Sequence, residues 1–360
     1  MNKGRNAIWD KVCERLPLDA GLHGTPGYSM PIQDLPFRID VPGAAKTIFP
    51  FIRRTPVVRM RELEKPGSGP LFLKLENLQI TGSFKVRGAA NRMVTLSEEE
   101  RERGVVACSS GNHGKAVAHV AGSMGIPATL FVPDWVEPVK LAGMQRAGAE
   151  VVLAGHSYDE AEARAMEMSE QERKTFVQPF DDPWVIAGQG TLGLELLEQV
   201  PELRTVLVPL SGGGLAGGVA YALKEVRPEL RIVAVSAANA RVMYESIRAG
   251  RPVTMEEEET LAEALSGGIG VTNRFTLALI RELVDEHLLV SEEEIRKAMV
   301  FAAESMNLLL EGGGAVALAA VLAHRGDLGG PQGTEGAAVV LSGGNLSPSR
   351  LEGLAAVAGP

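Results

Sequence analysis

Residues 205–226 read TVLVPLSGGGLAGGVAYALKEV. An apolar run, Thr205 to Leu210, has the length and residue types of a buried strand. It ends in Ser211, Gly212, Gly213 and Gly214, and a helix is expected to follow. A loop without bulky side chains lets successive backbone N–H groups point at one spot, and the positive end of the helix adds to the field there. That combination is an anion site suited to a phosphate. A tight strand-to-helix turn that binds nothing is the alternative, but three consecutive glycines are more than a turn needs.

The same alternation runs outward in both directions. GPLFLKLE reads as a strand and SFKVRGAANRMVTL as a helix; GVVACSS is a strand and GNHGKAVAHVAGSMG a helix closed by glycine. ATLFVP, AEVVLAG and the short TFVQPF are strands separated by the helices VKLAGMQRAG and DEAEARAMEMSEQER. GQGTLGLELLEQV is a helix before the quoted segment, RIVAVSA a strand after it, and GAAVVLSGGN ends the series. Short apolar strands alternating with helices imply an α/β fold with parallel sheets covered on both faces, the ligand lying at the carboxyl ends of the strands. Residues 1 to about 44 carry Pro and Gly without a clear period and read as a wrapping arm.

At 360 residues the chain is long enough for one large domain or two ordinary ones. A net charge of −9 argues against a nucleic-acid or anionic-membrane surface, both of which need a basic footprint. No apolar run approaches the roughly 20 residues that span a bilayer. The first residues lack the apolar core of a secretory signal. Two cysteines, Cys13 and Cys108, make neither a disulfide framework nor a zinc pattern, so a cytoplasmic setting is expected. Cys108 ends a buried strand and reads as packing. The acidic run MEEEET is expected to begin or flank a solvated helix.

Gly212, Gly214 and Gly217 satisfy G-x-G-x-x-G, the dinucleotide fingerprint, which expects an acid at the end of the next strand to hold a ribose hydroxyl. Here RIVAV runs into Ser236, Ala237 and Ala238, and the acid is missing. A phosphate loop without nucleotide recognition, in a chain with a lysine in NLQITGSFKVRGAANR (residues 77–92), suggests pyridoxal phosphate. That cofactor needs a lysine, a phosphate cradle and a partner for its ring nitrogen.

TGSFKVRGA, SSGNHGKAVA, PLSGGGLAGG and LSGGN occur in the order found in fold-type-II pyridoxal-phosphate enzymes. Over about residues 45 to 346, including PFDDPWVIAGQGTLGLELL, the chain resembles the threonine/serine dehydratase and serine racemase group. The resemblance implies a tryptophan-synthase-β-like architecture of two parallel-sheet α/β domains with the cofactor in the cleft between them. Residues 45–99 and 183–355 would form the large cofactor-binding domain, 100–182 the small one, and 1–44 an N-terminal extension. Lys85 would be the Schiff-base lysine and Phe84 would pack along the ring. Asn112 would hydrogen-bond the phenolic oxygen, while Ser109, Ser110, Asn112 and His113 belong to the loop that holds the substrate carboxylate. Backbone amides of Ser211, Gly212, Gly213, Gly214 and Leu215 would hold the phosphate. Ser342 would meet the ring nitrogen, and Glu311 matches a glutamate near the substrate β-carbon, or else merely complements a helix dipole.

The implied reaction is β-elimination from a small β-hydroxy amino acid such as L-threonine or L-serine, giving a 2-oxo acid and ammonia. Lys85 would take the Cα proton, and the cofactor phosphate would protonate the leaving hydroxyl. The rivals are an amino-acid racemase, kept open by Ser110, a dehydratase for another 3-hydroxy amino acid, and a nicotinamide oxidoreductase using the 212–217 glycines. Where the group's racemases bind a divalent cation this chain has Ser236, Ala240 and Val242, so no metal is expected. SGGIG (266–270) lacks the acid usual in dehydratases, and this variation is similar to that in dehydratases proposed for hydroxyectoine breakdown. The resemblance further implies a homodimer. With about fifteen residues after LSGGN, no isoleucine-binding regulatory domain is expected.

Overall fold

A computed structural model describes residues 38–64, 69–136, 138–323, 335–346 and 353. The arm expected over residues 1–37 lies outside them. Among the described residues the first element is helix α1 (Val41–Ile48), started by Asp40, whose carboxylate accepts from the Gly43 N–H at 2.8 Å. Val41, Ala44, Ala45 and Ile48 are buried, so the end of the stretch read as an arm is part of the core. Pro42 in the first turn is what hides this helix from a reading of periodicity: proline punctuates most sequence but is tolerated at a helix start.

There follow β1 (Val57–Arg59), β2 (Leu71–Leu75), α2 (Lys85–Val94), α3 (Glu98–Arg103), β3 (Val105–Cys108), α4 (Asn112–Met124) and β4 (Ala128–Val132). Next come α5 (Pro138–Arg146), β5 (Glu150–Leu153), α6 (Tyr158–Glu172), β6 (Thr175–Phe176), α7 (Pro183–Gln199) and β7 (Leu203–Pro209). The remainder is α8 (Gly214–Val226), β8 (Arg231–Ala237), α9 (Val242–Ala249), α10 (Thr276–Leu283), β9 (Glu286–Val290), α11 (Glu292–Met306), α12 (Gly312–Ala323) and β10 (Gly336–Leu341). Among these helices none is long and apolar enough to cross a membrane.

Two sheets result. One has the order β1-β2-β10-β7-β8-β9, parallel throughout except for β1, which runs antiparallel to β2. The other has the order β5-β4-β3-β6 and is wholly parallel. The central strands are apolar on both faces because both faces are covered. In the six-stranded sheet, Val206 and Val208 of β7 face a cluster with Ile186, Leu192, Val219 and Leu279, whereas Leu207 faces one with Met299, Val316 and Leu318. In the four-stranded sheet, Val105 and Leu130 pack with Val86, Val117 and Val120, and Val106 and Phe131 with Ala161 and Ala165 of α6.

Two strands, β1 and β9, are absent from the expected series. Each is an edge strand with mixed burial, so neither shows the apolar run that marks the others. Helix α3 is a single charged segment held by a capping box between Ser97 and Glu100. The acidic run 255–260 is exposed at Glu256–Glu259 as expected, but it is irregular backbone. Its end is drawn down by Glu292, which accepts from the Thr260 hydroxyl at 2.7 Å and the Leu261 N–H at 2.6 Å. Cys108 is buried, and desolvation pushes its thiol up to about 12, in keeping with a packing role.

Candidate active site

The turn that leads into Lys85 and the turns that hold Ser109, Ser211 and Ser342 lie beyond the carboxyl ends of parallel strands, β2, β3, β7 and β10 respectively. Those four turns come together. The Phe84 N–H donates to the Ser342 carbonyl at 3.1 Å and the Gly344 N–H to the Gly82 carbonyl at 2.9 Å, which zips the turn before Lys85 to the turn after β10. Gly82 has φ +77°, a conformation that glycine adopts without strain, and a side chain there would strike Asn345.

Lys85 opens α2. Lys85 is half-buried, and its amine donates to the Pro179 carbonyl at 2.8 Å, with the Phe84 ring centroid 5.3 Å away. Burial lowers its pKa to about 8, against the opposing pull of Glu311. Glu311 is also half-buried, and desolvation raises its carboxyl to about 7, although Asn112 and Lys115 act the other way. Asn112, the first residue of α4, donates from Nδ2 to Glu311 Oε1 at 2.5 Å. The site thus holds an amine that gives up its proton near neutrality and a carboxyl that keeps one.

The other predicted residues fall as follows. Ser109 and Ser110 are half-buried in the turn between β3 and α4, and Ser109 Oγ accepts from the Gly111 N–H at 3.2 Å. His113 is buried, with Nε2 2.8 Å from the Val177 carbonyl. Burial, helped by the charge of Lys85, lowers its pKa to about 3, so the ring is neutral and Nε2 donates. That nitrogen is engaged with the strand beside β3 and is not free for a carboxylate. Ser342 is buried and its Oγ approaches the Gly313 carbonyl at 3.3 Å. Leu215 is a core residue, so its contribution to the glycine turn is its backbone.

Ser211 Oγ donates to the Leu265 carbonyl at 2.9 Å, and Gly213 takes φ +89° as the N-cap of α8, where no side chain caps the helix. A Cβ on Gly213 would lie 2.9 Å from Thr276 Cβ, and one on Gly212 would enter the Phe180 ring. Asp181, next to Phe180, accepts from the N–H groups of Arg274, Phe275 and Thr276 at 2.6, 2.9 and 2.9 Å, which fixes this wall to α10.

Several residues were not read from the sequence. Pro179 and Phe180 receive the Lys85 amine and cover the glycine turn. Beneath α2 lies a fully buried quartet, Lys74, Glu76, Arg87 and Glu195. Arg87 Nε and Nη2 reach Glu76 Oε2 and Oε1, both at 2.8 Å, and Nη1 reaches Glu195 Oε1 at 2.8 Å; Lys74 Nζ reaches Glu195 Oε2 at 2.5 Å. A lysine inside the apolar strand LFLKL and an arginine inside the small-residue helix were the available signals.

A pyridoxal-phosphate cofactor fits these residues. The uncapped start of α8, walled by glycines that admit no Cβ, is a cradle for a phosphate. The Ser83 hydroxyl, buried beside Phe84 and Lys85, has no hydrogen-bond partner among the described residues. Where the dinucleotide reading needs an acid, Ser236 is buried and donates to the Leu210 carbonyl at 2.9 Å.

Comparison with known proteins agrees. The L-threonine ammonia-lyase of Thermotoga maritima is 41% identical over 313 residues, 87% of this chain and 76% of that protein. The structure of maize serine racemase superposes with a TM-score of 0.81 at 33% identity, covering 89% of this chain and 96% of that one. The processed form of threonine deaminase isoform 2 from Solanum lycopersicum gives 0.80 at 31% identity, covering 87% and 90%. Residues 48–343 match the family model described as pyridoxal-phosphate dependent enzyme, and with a lysine, a phosphate cradle and both sheets arranged around them, this chain belongs to that family.

Proposed function

We propose that the chain is an ammonia-lyase acting on a small β-hydroxy amino acid, L-threonine or L-serine: water is eliminated across Cα and Cβ, and a water then hydrolyses the resulting imine, so that the net products are a 2-oxo acid and ammonia. The observation that carries this reading is the half-buried Lys85 amine, held on the Pro179 carbonyl with its pKa lowered to about 8, within electrostatic reach of a Glu311 carboxyl raised to about 7. The names of the relatives support it.

The bound cofactor supplies an electron sink conjugated to Cα, which makes the Cα proton acidic. Lys85 is assigned as the group that holds the cofactor and, once released, as the base for that proton; its desolvation keeps the amine neutral near the working pH. Phe84 would pack along the ring, and the amides of Ser211, Gly212, Gly213, Gly214 and Leu215 would bind the phosphate. Asn112 would donate to the phenolic oxygen, while Ser109, Ser110 and Asn112 would bind the substrate carboxylate. His113, committed to Val177, is given the supporting part of fixing the turn. Ser342 would offer the ring nitrogen a neutral hydroxyl in place of a carboxylate. Such a neutral partner would hold the ring proton only weakly, which would bias the site toward expelling a β-substituent. Glu311 is assigned delivery of a proton to the departing hydroxyl.

The proposal extends to the rest of the chain. The small domain is taken as residues 100–182, the large one as 45–99 with 183–355, and 1–44 as an extension. The enzyme is taken to act in the cytoplasm as a homodimer. Racemisation is the second reading, favoured by Ser110 standing in the turn after β3 with the substrate-binding residues.

Incubating the purified protein with L-threonine and L-serine tests the assignment. Release of 2-oxobutyrate or pyruvate with equimolar ammonia is expected. D-Serine as the sole product would replace the lyase by a racemase.

A further inference from the structure

Four side chains form a chain of hydrogen bonds from the surface to the cleft, and their chemistry fixes their orientation. Lys115 Nζ lies 2.7 Å from Asn345 Oδ1, and Asn345 Nδ2 lies 3.0 Å from the Thr81 carbonyl. An ammonium only donates and a carbonyl only accepts, so the Asn345 amide has one orientation. Its second Nδ2 hydrogen meets Asn112 Oδ1 at 2.5 Å. Asn112 Oδ1 must therefore face Asn345, and the Asn112 NH2 group is turned toward Glu311 and the cleft.

Glu311 could not set this orientation by itself. A half-buried carboxyl with a pKa of about 7 is an acceptor when ionised and a donor when protonated, and an amide can present either end to it. Asn345 has no such ambiguity.

We propose that Asn345 is a positioning residue: it locks the Asn112 amide so that a donor, and not a carbonyl, faces an anionic oxygen of the bound cofactor. The inference rests on the reading of Asn112 given above. It concerns a residue outside the pocket, since Asn345 is exposed and touches the site through Asn112.

Asn345→Asp separates this role from a merely structural one. An aspartate pairs with Lys115 as well as asparagine does, but it can no longer donate. Asn112 must then rotate its NH2 group to it and turn a carbonyl inward. The readouts are the affinity of the apoprotein for pyridoxal phosphate and the pH midpoint of the bound chromophore's visible band. Asn345→Asp and Asn112→Ala are each expected to weaken binding by about tenfold or more, the effect of losing one hydrogen bond to a charged group. Both should displace the midpoint. The double variant should bind no more weakly than Asn112→Ala alone, because Asn345 acts through Asn112. Wild-type affinity and midpoint in Asn345→Asp, with Asn112→Ala impaired, overturns the proposal and leaves the site reading intact. Additive losses in the double variant overturn it as well. An unimpaired Asn112→Ala removes both the reading of Asn112 and the inference.

Discussion

The Lys85 amine donates to the backbone carbonyl of Pro179, and the next residue, Phe180, lies against the glycine turn at 212–214. The amine therefore rests on a neutral oxygen and not on a carboxylate. With Glu311 acting only through space, desolvation prevails and the pKa settles near 8.

A neutral amine is the nucleophile toward an aldehyde. The apoprotein should take up pyridoxal phosphate faster as pH rises through about 8, where an ordinary lysine needs a pH near 10.5. The rate of appearance of the visible band, or of the borohydride-fixed adduct, gives the midpoint. Lys85→Ala should form no adduct, and a midpoint close to 10.5 would contradict the burial seen here.

Glu311 holds its proton up to about pH 7 and can give one only while it is protonated. The lyase kcat should fall as pH rises through about 7, and Glu311→Gln should lose that limb. A general-acid role corresponds to a kcat loss on the order of 100-fold or more, with KM changing less. Loss of Asn112, which stabilises the carboxylate, should move the limb upward. Unaltered kcat in Glu311→Gln would leave the residue a binding role only.

Acid stability follows from His113, whose folded pKa of about 3 lies below the usual 6.5. Below about pH 6.5 the unfolded chain binds a proton there that the folded chain does not. Stability is thus full above that pH and declines on acidification until about pH 3, by roughly 1.4 kcal/mol per pH unit for one proton. Urea unfolding at pH 7, 6 and 5 should show this slope, and His113→Asn should flatten it. The same slope in the variant would assign it to other groups.

The quartet beneath α2 is balanced: two cations, Lys74 and Arg87, against two carboxylates, Glu76 and Glu195. Burial drives the Lys74 pKa down, while Arg87 stays firmly charged because Glu195 and Glu76 outweigh its own desolvation. Removing one member leaves an uncompensated buried charge. Glu195→Gln or Arg87→Leu should cost about 3–5 kcal/mol of unfolding free energy by denaturant titration. A loss under about 1 kcal/mol would mean that water reaches the quartet.

The main strands, most of the helices between them as far as α8 and the glycine turn were legible because each obeys one strong local rule, apolar runs for buried parallel strands and small residues where backbone must crowd; helices α9 to α12 were not read. The phosphate turn stood out for the same reason, whereas Lys85 and Ser342 were given their roles by the resemblance of their motifs to a known family. Edge strands β1 and β9 carry side chains facing solvent and protein in no simple alternation, and so left no signature. His113 looked like a ligand for substrate because its motif said so, but only the fold shows Val177 occupying its Nε2. Asn345 and Pro179 act through partners more than 90 residues away in sequence, contacts that no local pattern records.

The last strand among the described residues, β10, is inserted between β2 and β7. On the ribosome, all four strands of the smaller sheet exist once residue 176 has emerged, whereas the larger sheet stays split into two halves until residue 341. Its assembly must then close a loop of more than 260 residues between β2 and β10, a slow step by topology. The nascent chain consequently carries an open seam through its catalytic half until β10 has been made, and vitamin B6 has nothing complete to dock into before that strand is in place.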